Sequence, residues 1–208
     1  MIISESGIRF EFSDDYTVLK YDDTDFHKLL YNTLSGTKAV DFLAANGNAF
    51  LFIEVKNCVG NEADNRWRIA VNNSKRDTIP TGHDVVDRDS FDIEIPQKVA
   101  MSIAALVGAY TRPTPHRYSD TCMPVAEKLC SEDIRTEDTH AAKRRIYIIL
   151  VLEGSFGNGL KTNTERMVRD RIARSMKNKL KWLNCTVQVI SAHELEKLAP
   201  GMKATLEA

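Results

Sequence analysis

An α/β domain with a central mixed sheet flanked by helices is what this sequence predicts, on three observations. Residues 146–152 form an uninterrupted apolar run, short enough for a strand and dry enough to be covered on both faces. Residues 38–45 and 49–56 are rich in β-formers and are joined through Asn46-Gly47, a dipeptide suited to the positive φ angles of a tight hairpin. Apolar residues at helical spacing separate these runs. With 208 residues there is room for one sizeable core, so a single domain spanning 1–208 is expected.

In chain order, residues 8–12 and 17–21 read as short strands parted by the turn-prone Ser13-Asp14-Asp15, which predicts a small hairpin. Asp22 to Asp25 supply caps and negative charge for a helix start, and Phe26, Leu29, Leu30 and Leu34 follow at helical steps, predicting a helix that ends near Ser35-Gly36. After the Asn46-Gly47 hairpin, residues 57–92 are polar and irregular, with one strand expected over 67–71. Pro96 near its start and Val99, Ile103, Leu106, Val107 and Tyr110 predict a buried helix over 94–110. Residues 111–139 read as exposed, with one short helix around 125–130. The run 146–152 is expected at the middle of the sheet. Thr162 and Glu165 form a capping box for a helix over 163–182, striped by Val168, Ile172, Met176 and Leu180. Alternation over 186–190 predicts a half-buried strand, and the tail from Ala192 a short terminal helix.

Composition excludes several function classes. Basic and acidic side chains number 28 and 29, so the chain as a whole is no electrostatic adhesive for nucleic acid or membrane. No apolar run approaches the roughly 18 residues needed to span a bilayer, and the acidic N-terminus lacks a secretory pattern; a cytoplasmic protein without membrane contact is expected. Cys58, Cys122, Cys130 and Cys185 fit no usual zinc-ligand spacing and read as free thiols. The five histidines are scattered, without the paired spacing of a metal-binding helix.

Chemistry concentrates on the hairpin. Side chains at i and i+2 of a strand share a face, so Glu54 and Lys56 project together while Ile53 and Val55 point the other way. If Asn46-Gly47 closes a two-residue loop, Ala45 pairs with Asn48 and Asp41 falls opposite Phe52, on the face of Glu54. The two carboxylates are then diagonal neighbours, about 7 to 8 Å apart at the backbone, and can converge on one cation. Hard oxygen ligands suit Mg²⁺ or Mn²⁺, which retain waters able to attack a phosphodiester. Lys56 would lower that water's pKa or steady the developing phosphoryl charge.

Val40-Asp41, twelve residues, then Glu54-Val55-Lys56 resembles the motif of the PD-(D/E)XK, or restriction-endonuclease-like, nuclease superfamily. The resemblance covers about residues 22 to 110 by element order, with Val40 where the motif's name has proline. It implies a restriction-endonuclease-like core, with Asp41, Glu54 and the Val55 carbonyl as metal ligands and Lys56 as the catalytic lysine. It also implies accessory groups from the flanking helices, for which Asp25, Gln97 and Lys98 are candidates.

Two further signals compete. Residues 154–162 follow an apolar strand and precede a helix, as a phosphate-cradling loop does, but the lysine comes one residue late and only 46 residues follow Thr162, so a plain strand-to-helix connection is expected. Residues 161–181 carry eight basic against two acidic side chains, a formal charge of +6, which makes Arg166, Arg174 and Lys177 candidates for phosphate-backbone contacts. The solvated face of an amphipathic helix explains the same excess. The expected function is a Mg²⁺-dependent nuclease, with Mn²⁺ as a substitute, DNA as the substrate by resemblance, and a homodimer as a compatible assembly. The alternative is a non-catalytic nucleic-acid-binding or protein-interaction module on the same fold.

Overall fold

Strands and helices stack in three layers, two sheets and one layer of helices. The computed structural model describes residues 1–74, 89–113, 117–130, 145–156 and 162–207. Its strands are β1 (Ile2–Glu5), β2 (Ile8–Phe12), β3 (Thr17–Lys20), β4 (Phe42–Ala45), β5 (Ala49–Asn57), β6 (Arg145–Glu153), β7 (Cys185–Ile190) and β8 (Met202–Leu206). Its α-helices are α1 (Glu62–Asn65), α2 (Phe91–Tyr110), α3 (Met123–Cys130), α4 (Thr162–Lys179) and α5 (Leu195–Leu198). The main sheet is mixed and five-stranded in the order β3-β4-β5-β6-β7; β3, β4 and β5 are antiparallel, while β5, β6 and β7 are parallel. A smaller antiparallel sheet has the order β1-β2-β8.

Period-two alternation divides the core between the two faces of the main sheet. Leu43, Phe50, Phe52, Ile148, Leu150 and Leu152 pack with Phe91, Ile95, Val99 and Leu106 of α2, with Ile172 and Met176 of α4 and with Leu180 just past its end. On the other face Phe42, Leu51, Ile53, Val55, Ile149 and Val151 meet Ile8, Phe10, Phe12 and Met202 of the small sheet. Covering on both faces is why β6 tolerates no polar residue from Ile148 to Leu152.

Several local expectations are corrected. The strands over 8–12 and 17–21 do not pair with each other: β2 pairs with β1 and β8, and β3 with β4. The competing turn is Ser6-Gly7, whose φ angles of 53° and 72° close the β1–β2 hairpin. The helix expected after Asp25 is a short π-helical segment, Phe26–Leu30, followed by a 3-10 turn, Tyr31–Thr33; Leu29 and Leu34 stay exposed, so no apolar stripe holds a longer helix. The strand expected over 67–71 is a 3-10 turn, Arg66–Ile69. Helix α2 begins three residues early, at Phe91, where Ser90 takes the extended N-cap conformation and Asp92 and Glu94 favour the positive helix end. β5, not β6, is the central strand. The tail holds a helical turn and then β8, which seals the small sheet. The four cysteines are free. No described helix is long and apolar enough to cross a membrane.

Candidate active site

The hairpin expected to carry the chemistry forms, with a displaced turn. Asn46 N–H donates to the Ala49 carbonyl at 3.0 Å, and the Asn46 side chain accepts from the N–H groups of Asn48 and Ala49 at 2.8 Å each, so Gly47-Asn48 is the two-residue loop. Gly47 does not take a positive φ. Ala45 therefore pairs with Phe50 and Phe42 with Ile53, two residues from the register of an Asn46-Gly47 loop. A shift of two preserves parity. Asp41 thus stays on the face of Glu54, and the continued register sets it opposite Glu54 instead of Phe52.

Asp41 is fixed where β4 begins. Its Oδ2 accepts the Val55 N–H at 2.7 Å, and its carbonyl accepts the Tyr21 N–H at 3.0 Å. Val40 N–H, the next ladder partner for Val55, donates instead to Ser102 Oγ at 3.2 Å. The Val55 carbonyl, which projects to the same strand edge as its N–H, is left without that partner.

Around this edge six charges pack together. Lys56 Nζ and Lys98 Nζ lie 2.6 Å and 2.5 Å from Glu54 Oε1, and Lys98 Nζ lies 3.8 Å from Asp41 Oδ1. Lys56 Nζ is 3.5 Å from Glu94 Oε1, and Glu94 Oε2 holds Arg68 at 2.5 Å. Glu54 is only 1% exposed, yet its Oε2 has no hydrogen-bond partner among the described residues. Burial, reinforced by the Glu54 charge and opposed by Lys98, Lys56 and the Val55 N–H, raises the Asp41 carboxyl to about 7. Burial alone would lower the Lys56 pKa, but Glu54, Glu94 and Asp41 outweigh it and hold the ammonium protonated. Burial would likewise raise Glu94, yet Lys56, Arg68 and Lys98 keep it below the ordinary carboxylate range.

Of the candidate residues, Asp41, Glu54, Lys56 and Lys98 meet here. Gln97 points away, accepting from Lys38 Nζ at 2.8 Å on the surface. Asp25 is exposed at the start of the π-helical segment and makes no side-chain cap bond. The acid nearer the site from that region is half-buried Asp22, whose pKa is raised by burial and by Glu5 and lowered by Lys20 and Lys98. Glu94 and Arg68 went unseen in the sequence. The i, i+4 spacing of Glu94 and Lys98 was a usable signal for one shared helix face; Arg68 lies in a stretch with no periodicity. Among the cationic candidates of α4, Arg166 pairs with Asp170 at 3.8 Å, Lys177 Nζ donates to the Cys185 carbonyl, and Arg174 is exposed. The phosphate-loop comparison falls mainly on residues 157–161, outside the described residues.

Among the described residues no group of three or more His, Cys, Asp or Glu side chains is placed to hold a metal ion. Two carboxylates and a main-chain carbonyl still suit a hard cation that keeps most of its waters. The unpartnered Glu54 Oε2 is the observation that fits such an ion, since an orphaned buried acceptor costs free energy unless something binds it.

Fold and site together define an α/β protein whose mixed sheet presents a buried, ion-paired acidic cluster at the edge of its central strand. The chain belongs to a family of unknown function (DUF6661), which matches it over residues 24–198. No curated protein and no solved structure gives a significant match.

Proposed function

We propose that this protein is a divalent-cation-dependent phosphodiesterase acting on nucleic acid, with DNA as the substrate and a restriction-endonuclease-like core. The observation that carries the reading is the convergence of Asp41 and Glu54 beside Lys56, with one Glu54 oxygen buried and unpartnered. Asp41, Glu54 and the Val55 carbonyl would hold Mg²⁺ or Mn²⁺. The bound ion would supply Lewis-acid polarisation of a phosphoryl oxygen and a more acidic water. Lys56 stays protonated among three carboxylates, so its role is to stabilise negative charge developing on the phosphoryl group, not to accept a proton. Lys98 shares the Glu54 oxygen with Lys56 and can turn toward a scissile phosphate when that carboxylate is otherwise engaged.

Calorimetric titration with Mn²⁺ tests the reading. Wild-type protein and Lys56→Ala should bind the ion, and Glu54→Gln should lose it, because glutamine keeps the shape but not the charge. A wild-type protein that takes up neither Mn²⁺ nor Mg²⁺ overturns the proposal. One observation favours a second reading: three acids, Asp41, Glu54 and Glu94, are matched by three cations, Lys56, Lys98 and Arg68. A network so balanced serves equally in a non-catalytic nucleic-acid-binding module. Binding without turnover distinguishes that module from the nuclease.

A further inference from the structure

Helix α4 buries Ile172 and Met176, with Leu180 following just beyond its end, against the main sheet. The side opposite this stripe carries Met167, Arg171, Arg174 and Asn178, at steps of i, i+4, i+7 and i+11, and Trp182 follows in the turn just past the helix. All five are exposed, Met167 by 69% and Trp182 by 59%. Most cations of the helix are already engaged: Arg166 with Asp170, Arg169 with Glu194 at 3.3 Å, Lys177 with the Cys185 carbonyl and Lys179 with Asp92 at 2.7 Å. Arg171, Arg174 and Lys181 are exposed and have no carboxylate partner among the described residues. The stripe therefore combines uncompensated positive charge with an indole face open to water.

A duplex hides its base faces in the stack, whereas a single strand offers both a phosphate row and free base faces. Cations beside an exposed tryptophan match the second ligand. From Arg174 to the helix end at Lys179 the rise is about 8 Å, and Trp182 follows in the turn beyond, so cations and indole lie within reach of one short strand. The surface is also coupled to the candidate active site. Asp92, in the first turn of α2, accepts from Ser175 and Lys179 of α4 at 2.7 Å each, and the same helix carries Glu94 and Lys98 into the charge cluster.

We propose that the solvent face of α4 binds single-stranded nucleic acid, with Arg171, Arg174 and Lys181 contacting phosphates and Trp182 stacking on a base. This deepens the reading above by naming the strandedness of the substrate. The test is fluorescence anisotropy in EDTA with a labelled 20-nucleotide oligothymidylate and a duplex of equal length, using full-length protein. Wild-type protein should bind the single strand at least about 10-fold more tightly than the duplex, with quenching of indole fluorescence. Trp182→Ala should weaken single-strand binding about 10-fold, and Trp182→Phe should restore most of it while abolishing the quench. The pair Arg171→Glu and Arg174→Glu should lower affinity and flatten the salt dependence by about 1.4 in the log–log slope. Equal affinity of wild type and Trp182→Ala, or tighter binding of the duplex, overturns the proposal. Because no metal is present, cleavage plays no part in the readout. A protein that cleaves but ignores Trp182 loses this inference alone, and one that binds as described but never cleaves loses the nuclease reading alone.

Discussion

Asp92 and Glu54 are both 1% exposed, and both sit on the helical side of the main sheet, yet their surroundings differ. Asp92 is closed: Oδ2 accepts from Lys179 and Ser175 and Oδ1 from Ser90, all at 2.7 Å, while the Asn72 N–H approaches at 3.2 Å. Burial would raise its pKa, but these hydrogen bonds hold it below the ordinary carboxylate value. Glu54 is open: two lysines crowd Oε1, and among the described residues none hydrogen-bonds Oε2. Its neighbour Asp41 shows the opposite shift to Asp92, upward to about 7. The first cluster satisfies every acceptor it buries and ties α2 to α4. The second leaves an acceptor unused and a carboxyl whose ionised form is disfavoured, two features that the proposed cation-binding role would use.

The sharpest way to break this comparison is to exchange the roles by mutation. Glu54→Gln should reduce metal-dependent cleavage about 10³-fold, or about 4 kcal/mol, while thermal unfolding stays cooperative. Asp92→Ala should instead cost about 3 kcal/mol of stability in urea titration, because Lys179 and two hydroxyls lose their acceptor, with Mn²⁺ affinity unchanged. If Asp92→Ala abolished metal binding and Glu54→Gln did not, the roles would be reversed. Lys56→Ala should slow cleavage about 10²-fold, near 2.7 kcal/mol, and keep metal affinity. The smallest effect is a slope. Because the folded Asp41 carboxyl titrates near 7 against an ordinary value of 3.8, the folded state holds a proton that the unfolded chain has released. That contribution is complete below about pH 4 and is lost as pH rises toward 7, at no more than about 1.4 kcal/mol per pH unit. Urea titrations in EDTA should show Asp41→Asn flattening the pH 4 to 7 region. Asp92 has the reverse sign, stabilising above its ordinary value and failing as pH falls through its lowered one.

Much of the sheet and the shared face of the site were legible because they depend on parity, and parity survives small errors. The loop moved from Asn46-Gly47 to Gly47-Asn48, yet Asp41 stayed with Glu54 because the register slipped by two. Strands β5 and β6 and helices α2 and α4 were legible from apolar runs and stripes that tertiary packing then used. What failed depends on a choice among partners. The strand at Ile8–Phe12 pairs with a segment from each end of the chain, and only the folded chain brings Met202–Leu206 beside it. Helical spacing at Phe26 to Leu34 did not produce a regular helix because only Phe26 is fully buried, Leu30 and Tyr31 reach the core in part, and Leu29 and Leu34 face solvent. Arg68 reached the charge cluster from a polar stretch without periodicity, so no local pattern announced it.

The central claim is that the open cluster performs metal-dependent phosphodiester hydrolysis, and a cleavage assay tests it most directly. Purified full-length protein is incubated with single-stranded DNA, double-stranded DNA and RNA, in Mg²⁺, in Mn²⁺ and in EDTA, beside Glu54→Gln at equal concentration. Cleavage of at least one substrate by wild type with metal, absent in EDTA and absent in Glu54→Gln, is the predicted result. Intact substrates throughout, or cleavage that Glu54→Gln retains at the wild-type rate, would contradict the account.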